Sequence, residues 1–424
     1  MNVLVWIRRD LRVTDHPALV RAAALGRVLP LYVADPADWA GPAAAARQWE
    51  FVAETLVGLR ADLADLGAPL VVRVGRAEEV IARLSRSYRI DRVLCLHRPG
   101  HPVPAGVEEV GPDAPLPPPA LTPVPGVEPG LIPAARALGL APDPCPHRQP
   151  GGRAAALALA ESFAGGRGAE YPAALLSPVG GDRAGSRLSP HLAHGALSAA
   201  EVRALLPGKL PPRAARAFLD TLRLPPGQAP LPEGGDSRHL AAFAGAQTGL
   251  PLVDACLRQF RATGWLNARG RGVLASVAVH LLGLSVQDAG HVLGRLATDH
   301  DPAILWPQMA GLAGASARIA NPVKLGQDHD PQGRFTRRWL PELAAVPDSH
   351  LHAPWRWEGA GRLLGRRYPE PVVDPTHAAR DARDRLGPVR RAWAAPHRTQ
   401  DLVLVEGTAA SRPRPASAQL AFDL

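Results

Sequence analysis

Three cysteines, Cys95, Cys145 and Cys256, are all that this 424-residue chain carries, too far apart for a CxxC or any other ligand spacing. That scarcity argues against a disulfide framework and against a cysteine-bound metal, and it makes a reducing cytosol the simplest home. No apolar run is long enough to cross a membrane. The chain opens on a strand-like run, residues 3–7, with no basic leader or small-residue cleavage site, so neither export nor a membrane is expected. No GxGxxG or GxxxxGK[ST] follows an apolar run, which disfavours an ordinary dehydrogenase or kinase-type nucleotide site. Lysine is nearly absent, at Lys209 and Lys324 alone.

What is abundant is arginine, alanine, 46 prolines and 41 glycines, with a formal net charge of +9. Such a charge suits a polyanionic partner, since clustered cations release counterions from phosphate backbones. Arginine in place of lysine, together with Ala, Pro and Gly, is also what a GC-rich genome imposes on any protein, so charge alone assigns no nucleic-acid partner.

The length predicts two cores. Over the first hundred residues, apolar runs at 3–7, 28–33, 70–74 and 93–96 alternate with helical patterns at 17–24, 43–66 and 78–84. In the second helix Val52, Leu56, Leu59, Leu63 and Leu66 step by four and three along one face. This βαβαβαβ rhythm predicts a doubly wound parallel sheet. From residue 99 to 146 prolines interrupt every periodicity, as in a linker. Helical patterns then follow at 153–163, 199–206, 213–222, 250–261, 272–284 and 289–296. The expected organisation is an α/β domain over residues 1–125, a Pro-rich linker at 126–148, an all-α domain over 149–398 and a disordered tail at 399–424.

Three polar clusters in the helical half exceed what a plain bundle needs. Ser186-Arg187-Leu188-Ser189 offers two hydroxyls and a guanidinium just before a helix, a setting for an anionic phosphate, although alone it reads more readily as a helix N-cap. Thr248 to Arg258 leads into Thr263-Gly264-Trp265-Leu266-Asn267-Ala268-Arg269-Gly270-Arg271. Thr298-Asp299-His300-Asp301-Pro302 sets two carboxylates around a histidine, a pattern short of the further ligands a metal requires, so no metal is expected.

In this order, together with Trp6-Ile7-Arg8-Arg9-Asp10-Leu11-Arg12 near the start and Gly333-Arg334-Phe335-Thr336-Arg337-Arg338-Trp339-Leu340-Pro341-Glu342-Leu343 later, the clusters resemble the DNA photolyase and cryptochrome family. The resemblance reaches to about residue 391. It implies a shortened antenna domain followed by a helical FAD domain, with FAD folded between helices. Its phosphates would lie on Ser186, Arg187, Leu188 and Ser189, and its adenine half beside Tyr171 and the Trp265 region. It further implies that Arg271 pairs with Asp299 under the isoalloxazine, with His300 following and Asp301 beside the flavin's sugar.

Several family positions are altered. Leu224 falls in a segment that has lost a Trp-Arg-x-x-Phe helix, Ala268 and Leu305 replace asparagines, Val286 replaces a relay tryptophan, and Met309 stands near a lesion-facing one. No catalytic residue is assigned on this basis. The implied function is FAD-dependent, light-driven repair of pyrimidine dimers in UV-damaged DNA by a cytoplasmic monomer, with an antenna chromophore of unassigned identity. The alternatives are a blue-light receptor or a family member that has lost repair.

Overall fold

The computed structural model describes residues 1–99, 101–111, 116–222, 236–313 and 317–394. The expectations for Leu224 and for a tail from residue 399 lie outside the described residues. Among those described, no helix is long and apolar enough to cross a membrane.

The N-terminal region runs β1 (Asn2–Ile7), α1 (Pro17–Leu25), β2 (Arg27–Ala34), α2 (Ala46–Asp65), β3 (Val71–Val74), α3 (Ala77–Tyr88), β4 (Arg92–Leu96) and β5 (Val107–Val110). Neighbouring strands are parallel throughout, in the order β3-β2-β1-β4-β5. Burial explains why β1 is apolar without alternation. Val3, Val5 and Ile7 enter a core with Leu19 of α1 and Val52, Leu56, Leu59 and Leu63 of α2. Leu4 and Trp6 enter a second core with Val80, Ile81 and Leu84 of α3. A parallel sheet covered on both faces has no polar side. The N-cap of α2 is Ala45, which makes no side-chain cap bond. A missing cap costs about 1 kcal/mol, and burial of a single stripe leucine, worth about 1.5–3 kcal/mol, offsets it.

The proline-rich stretch is not a free linker. Val107–Val110 joins the sheet as its fifth strand beside β4. Residues further on bond to the start of β2, to the edge strand β3 and to α2: Val28 donates to Thr122 O at 2.7 Å and Val124 to Val28 O at 3.2 Å, while Val72 donates to Pro129 O at 2.7 Å and Trp49 Nε1 to Pro133 O at 2.9 Å. Proline lacks the N–H that a regular strand needs but keeps its carbonyl, so the stretch serves the sheet as a row of acceptors.

Packing also divides the chain elsewhere than at residues 126–148. Among the described residues, one compact unit takes those within 1–223, 258–267 and 291–305, and the other those within 224–257, 268–290 and 306–424. Within the first, α2 explains the grouping. Arg47, 1% exposed, donates to Phe260 O at 3.5 Å, Arg261 O at 2.9 Å and Leu296 O at 3.1 Å, and is ion-paired with Asp143 at 2.6 Å. Gln48 Nε2 adds bonds to Gly294 O at 2.9 Å and Ala297 O at 3.1 Å. These acceptors are at the C-terminal ends of the Pro251–Thr263 and Val286–Leu296 helices, where carbonyls lack intrahelical partners and a cation is favoured.

The second unit is helical, as the periodicity predicts. It includes Ser237–Gly245, Ala268–Ser276 running into a π-helical turn at Val277–Leu281, and Pro375–Ala394. Leu340, Leu343, Val346, Leu351, Leu363 and Tyr368 cluster in one of its cores. Buried Asp254 clasps the start of Pro251–Thr263, accepting from Thr248 N at 2.9 Å, Thr248 Oγ1 at 2.8 Å, Gly249 N at 3.0 Å and the Tyr368 hydroxyl at 2.6 Å. Burial pushes its carboxyl up, and these donors oppose the rise.

Leu56 is fully buried and its neighbour Val57 is 62% exposed. Leu56→Ala is expected to lower unfolding stability by about 2–5 kcal/mol, and Val57→Ala to leave it within about 0.5 kcal/mol; urea titrations of the two variants check the assignment of the stripe.

Candidate functional site

Two groups of the sequence-derived residues come together in the first unit. The first is built around Trp265. Its ring lies directly on backbone: a Cβ on Gly181 would come 3.0 Å from the ring, and one on Gly185 the same. The indole N–H donates to Ser189 Oγ at 3.0 Å, and Ser186 Oγ accepts from Leu188 N at 3.3 Å. Neither serine caps the following Ser189–Ala193 helix, whose N-cap is Leu188. The capping alternative therefore gives way to a tight turn. Within that turn Arg187 takes φ +60°, a left-handed conformation uncommon outside glycine. Its guanidinium lies 5.7 Å from the Trp265 ring centre, and its buried Nε has no hydrogen-bond partner among the described residues.

Arg167 braces the same turn from behind, donating to Gly185 O, to Ser186 O at 3.5 Å and through Nε to Ser162 Oγ at 3.3 Å. Burial, and then the neighbouring Arg187, disfavour its charge. Two guanidiniums at one turn, with hydroxyls and a flat indole, suit an anionic ligand that carries a ring. Tyr171 is engaged differently. Its ring meets Phe163 at 5.3 Å and Phe218 at 5.5 Å, both edge-on, and its hydroxyl lies 3.4 Å from Thr221 Oγ1.

The second group is residues 298–301. Thr298 N donates to Gly264 O at 2.9 Å, next to Trp265, and Thr298 O accepts from His194 Nε2 at 2.9 Å. His300 O accepts from Arg9 Nη1 at 2.9 Å, and its ring packs on Gly294, where a Cβ would sit 3.0 Å away. Asp299 is 8% exposed.

Asp301, expected beside the flavin's sugar, has its carboxylate tied within the protein. Its carboxylate, 1% exposed, is taken up by Arg98 at 2.5 Å, His101 at 3.2 Å and Arg9 at 4.0 Å, and it also accepts from Ala303 N at 3.0 Å, capping the Pro302–Ala310 helix. Burial would raise its carboxyl, but the His101 hydrogen bond and the charges of Arg9 and Arg98 outweigh that and hold it far below the usual range. Arg98 and His101 were not singled out in the sequence, and Arg9 only as part of the N-terminal motif. The available signal was their position just past the ends of β1 and β4.

Arg271 lies on the Ala268–Ser276 helix and belongs to the second unit. Ala268 is exposed, whereas Val286, at an expected tryptophan position, and Met309, near another, are 1% and 0% exposed.

The profile of the DNA photolyase family matches residues 3–109, and that of the FAD binding domain of DNA photolyase matches residues 219–387. A deoxyribodipyrimidine photo-lyase of Streptomyces griseus is 31% identical over 88% of this chain and 97% of its own length. The chain belongs to the photolyase and cryptochrome family. A Cryptochrome DASH of Natronomonas pharaonis is 28% identical over 88% of this chain and 98% of its own length. Among solved structures, a bacterial class III photolyase from Agrobacterium tumefaciens superposes with a TM-score of 0.78 at 24% identity, covering 92% of this chain and 98% of that one. An archaeal photolyase from Sulfolobus tokodaii, described with two FAD molecules, gives 0.74 at 21% identity, covering 92% and 100%. The chain thus carries the family's FAD-binding domain. The Trp265 cradle, with its orphaned guanidinium nitrogen, fits the phosphates and a ring of that cofactor.

The first unit also sets an acid limit. Burial holds His191 down to about 4, His194 to about 3 and His300 to about 4. An unfolded histidine titrates near about 6.5, so the unfolded chain binds protons that the folded one refuses. This stability is complete above that pH and drains away as pH falls toward the folded values. Urea midpoints are expected to hold above pH about 7 and to decline between about 6.5 and 4, with His300→Gln reducing the slope by up to about one proton. Titrations at a series of pH values measure it.

Proposed function

We propose that the chain binds FAD and uses it for light-driven repair of pyrimidine dimers in DNA, as a cytoplasmic monomer. The observation that carries the reading is the Arg187 turn: a strained backbone presenting a guanidinium with an unpartnered buried nitrogen beside the Ser189–Trp265 pair. Ser186, Arg187, Leu188 and Ser189 hold the cofactor's phosphates, and Trp265 offers its ring. Tyr171 stands on the adenine side, buried against Phe163 and Phe218. Arg271 and Asp299 are the residues that the family resemblance gives to the isoalloxazine. Bound FAD supplies light absorption and electron transfer. The protein's part is to hold the ring and keep water from it. The similarity to a deoxyribodipyrimidine photo-lyase of Streptomyces griseus supports DNA as the substrate.

A second reading has its own observation. Val286 stands where the family resemblance expects a relay tryptophan and Met309 near an expected lesion-facing one, and both are fully buried. Loss of these tryptophans favours a light-sensing flavoprotein without repair.

The purified chain is expected to be coloured by flavin and to gain thermal stability from added FAD, and Arg187→Ala is expected to weaken that gain. Illumination of photoreduced protein with dimer-containing DNA is expected to remove dimers beyond the dark control. A light-induced flavin change without loss of dimers favours the sensor, while a colourless protein that FAD does not stabilise rejects both readings. The same absorption spectrum reads out any second chromophore.

A further inference from the structure

The sheet reverses its winding at β1. The chain passes from β1 to β2 and β3 on one side and returns to β4 and β5 on the other. In open parallel sheets the crevice beyond the carboxyl ends of the strands at this point is where a ligand binds. Here the crevice is cationic and cross-tied. Arg8, stacked 5.0 Å over Trp6, donates to Leu96 O and His101 O, both at 3.1 Å, and Arg98 Nη1 donates to Arg9 O at 2.9 Å. The anion among Arg9, Arg98 and His101 is the chain's own Asp301 carboxylate.

We propose that Asp301 is the internal ligand of this crevice, and that Arg9, Arg98 and His101 are positioning residues that fix the 298–301 segment for the flavin. The proposal rests on the reading that the chain binds FAD. The grip is continuous along that segment. Thr298 is held through both its N–H and its carbonyl, His300 through its carbonyl on Arg9, and Asp301 through both carboxylate oxygens. Asp299, which the resemblance assigns to the flavin, is the residue between these fixed points. A sheet crevice that would otherwise recognise a phosphate thereby sets the geometry of a distant stretch of sequence. Arg9 serves both contacts at once, which couples the sheet's loop directly to the backbone beside Asp299.

The experiment compares the full chain with Asp301→Asn, Arg98→Gln, the double variant and Arg98→Lys. It measures FAD dissociation constants, the flavin midpoint potential and the visible band shape, with thermal unfolding of each apoprotein alongside. Each single variant is expected to bind FAD about tenfold more weakly, the change that about 1.4 kcal/mol produces, and to shift the potential. The double variant is expected to match the singles rather than add them, because neither charge is then left buried alone, and Arg98→Lys is expected to recover part of the loss.

If either single variant fails to fold, His101→Gln, on a side chain 23% exposed, takes its place with the same expected direction. Cooperatively folded variants with unchanged affinity and potential overturn the proposal. So do losses that simply add, because Asp301 would then act on the cofactor itself. A wild-type chain that binds no FAD defeats the functional reading instead.

Discussion

Arg47 carries a full charge with almost no water to solvate it, and the protein replaces that water with the ends of two helices. Carbonyls at Phe260, Arg261 and Leu296 and the Asp143 carboxylate surround its guanidinium. Each helix end has acceptors left over and a partial negative charge, so one cation answers both. Two of the segments assigned to the cofactor in the first unit hang from these ends. Gly264 and Trp265 follow one helix directly, and Thr298 to Asp301 follow the other.

Much of this was legible in the sequence because the signals were periodic. The α2 stripe, the all-apolar β1 and the helices of the second half follow from spacing and burial, which act locally. β5 was not legible. Val107-Glu108-Glu109-Val110 is short, polar in the middle and flanked by prolines, and only its pairing with β4 makes it a strand. The same holds for the acceptors at Thr122, Pro129 and Pro133, whose role depends on donors far away in sequence.

Within the site, motif order located Ser186 to Ser189 and residues 298–301 but did not give the protein partners of their side chains. Ser189 is held by an indole N–H rather than capping a helix, and the Asp301 carboxylate is held by two arginines and a histidine. Such partners come from loops after β1 and β4, which no spacing rule connects to residue 301. The cations of the crevice also show why a strongly basic composition is a poor guide to partners. Arg9, Arg47 and Arg98 spend their charge inside the fold.

The long reach of Arg47 also bears on how the chain is made. Its most distant acceptor, Leu296 O, lies 249 residues downstream. At a synthesis rate of about 5–20 residues per second, the strands of the sheet emerge roughly ten seconds to a minute before that carbonyl exists. For that interval a nascent sheet must keep a guanidinium hydrated at the very surface that will later be sealed. The vulnerable species during translation is therefore an early α/β domain whose Arg47 waits, exposed, for helix ends not yet made.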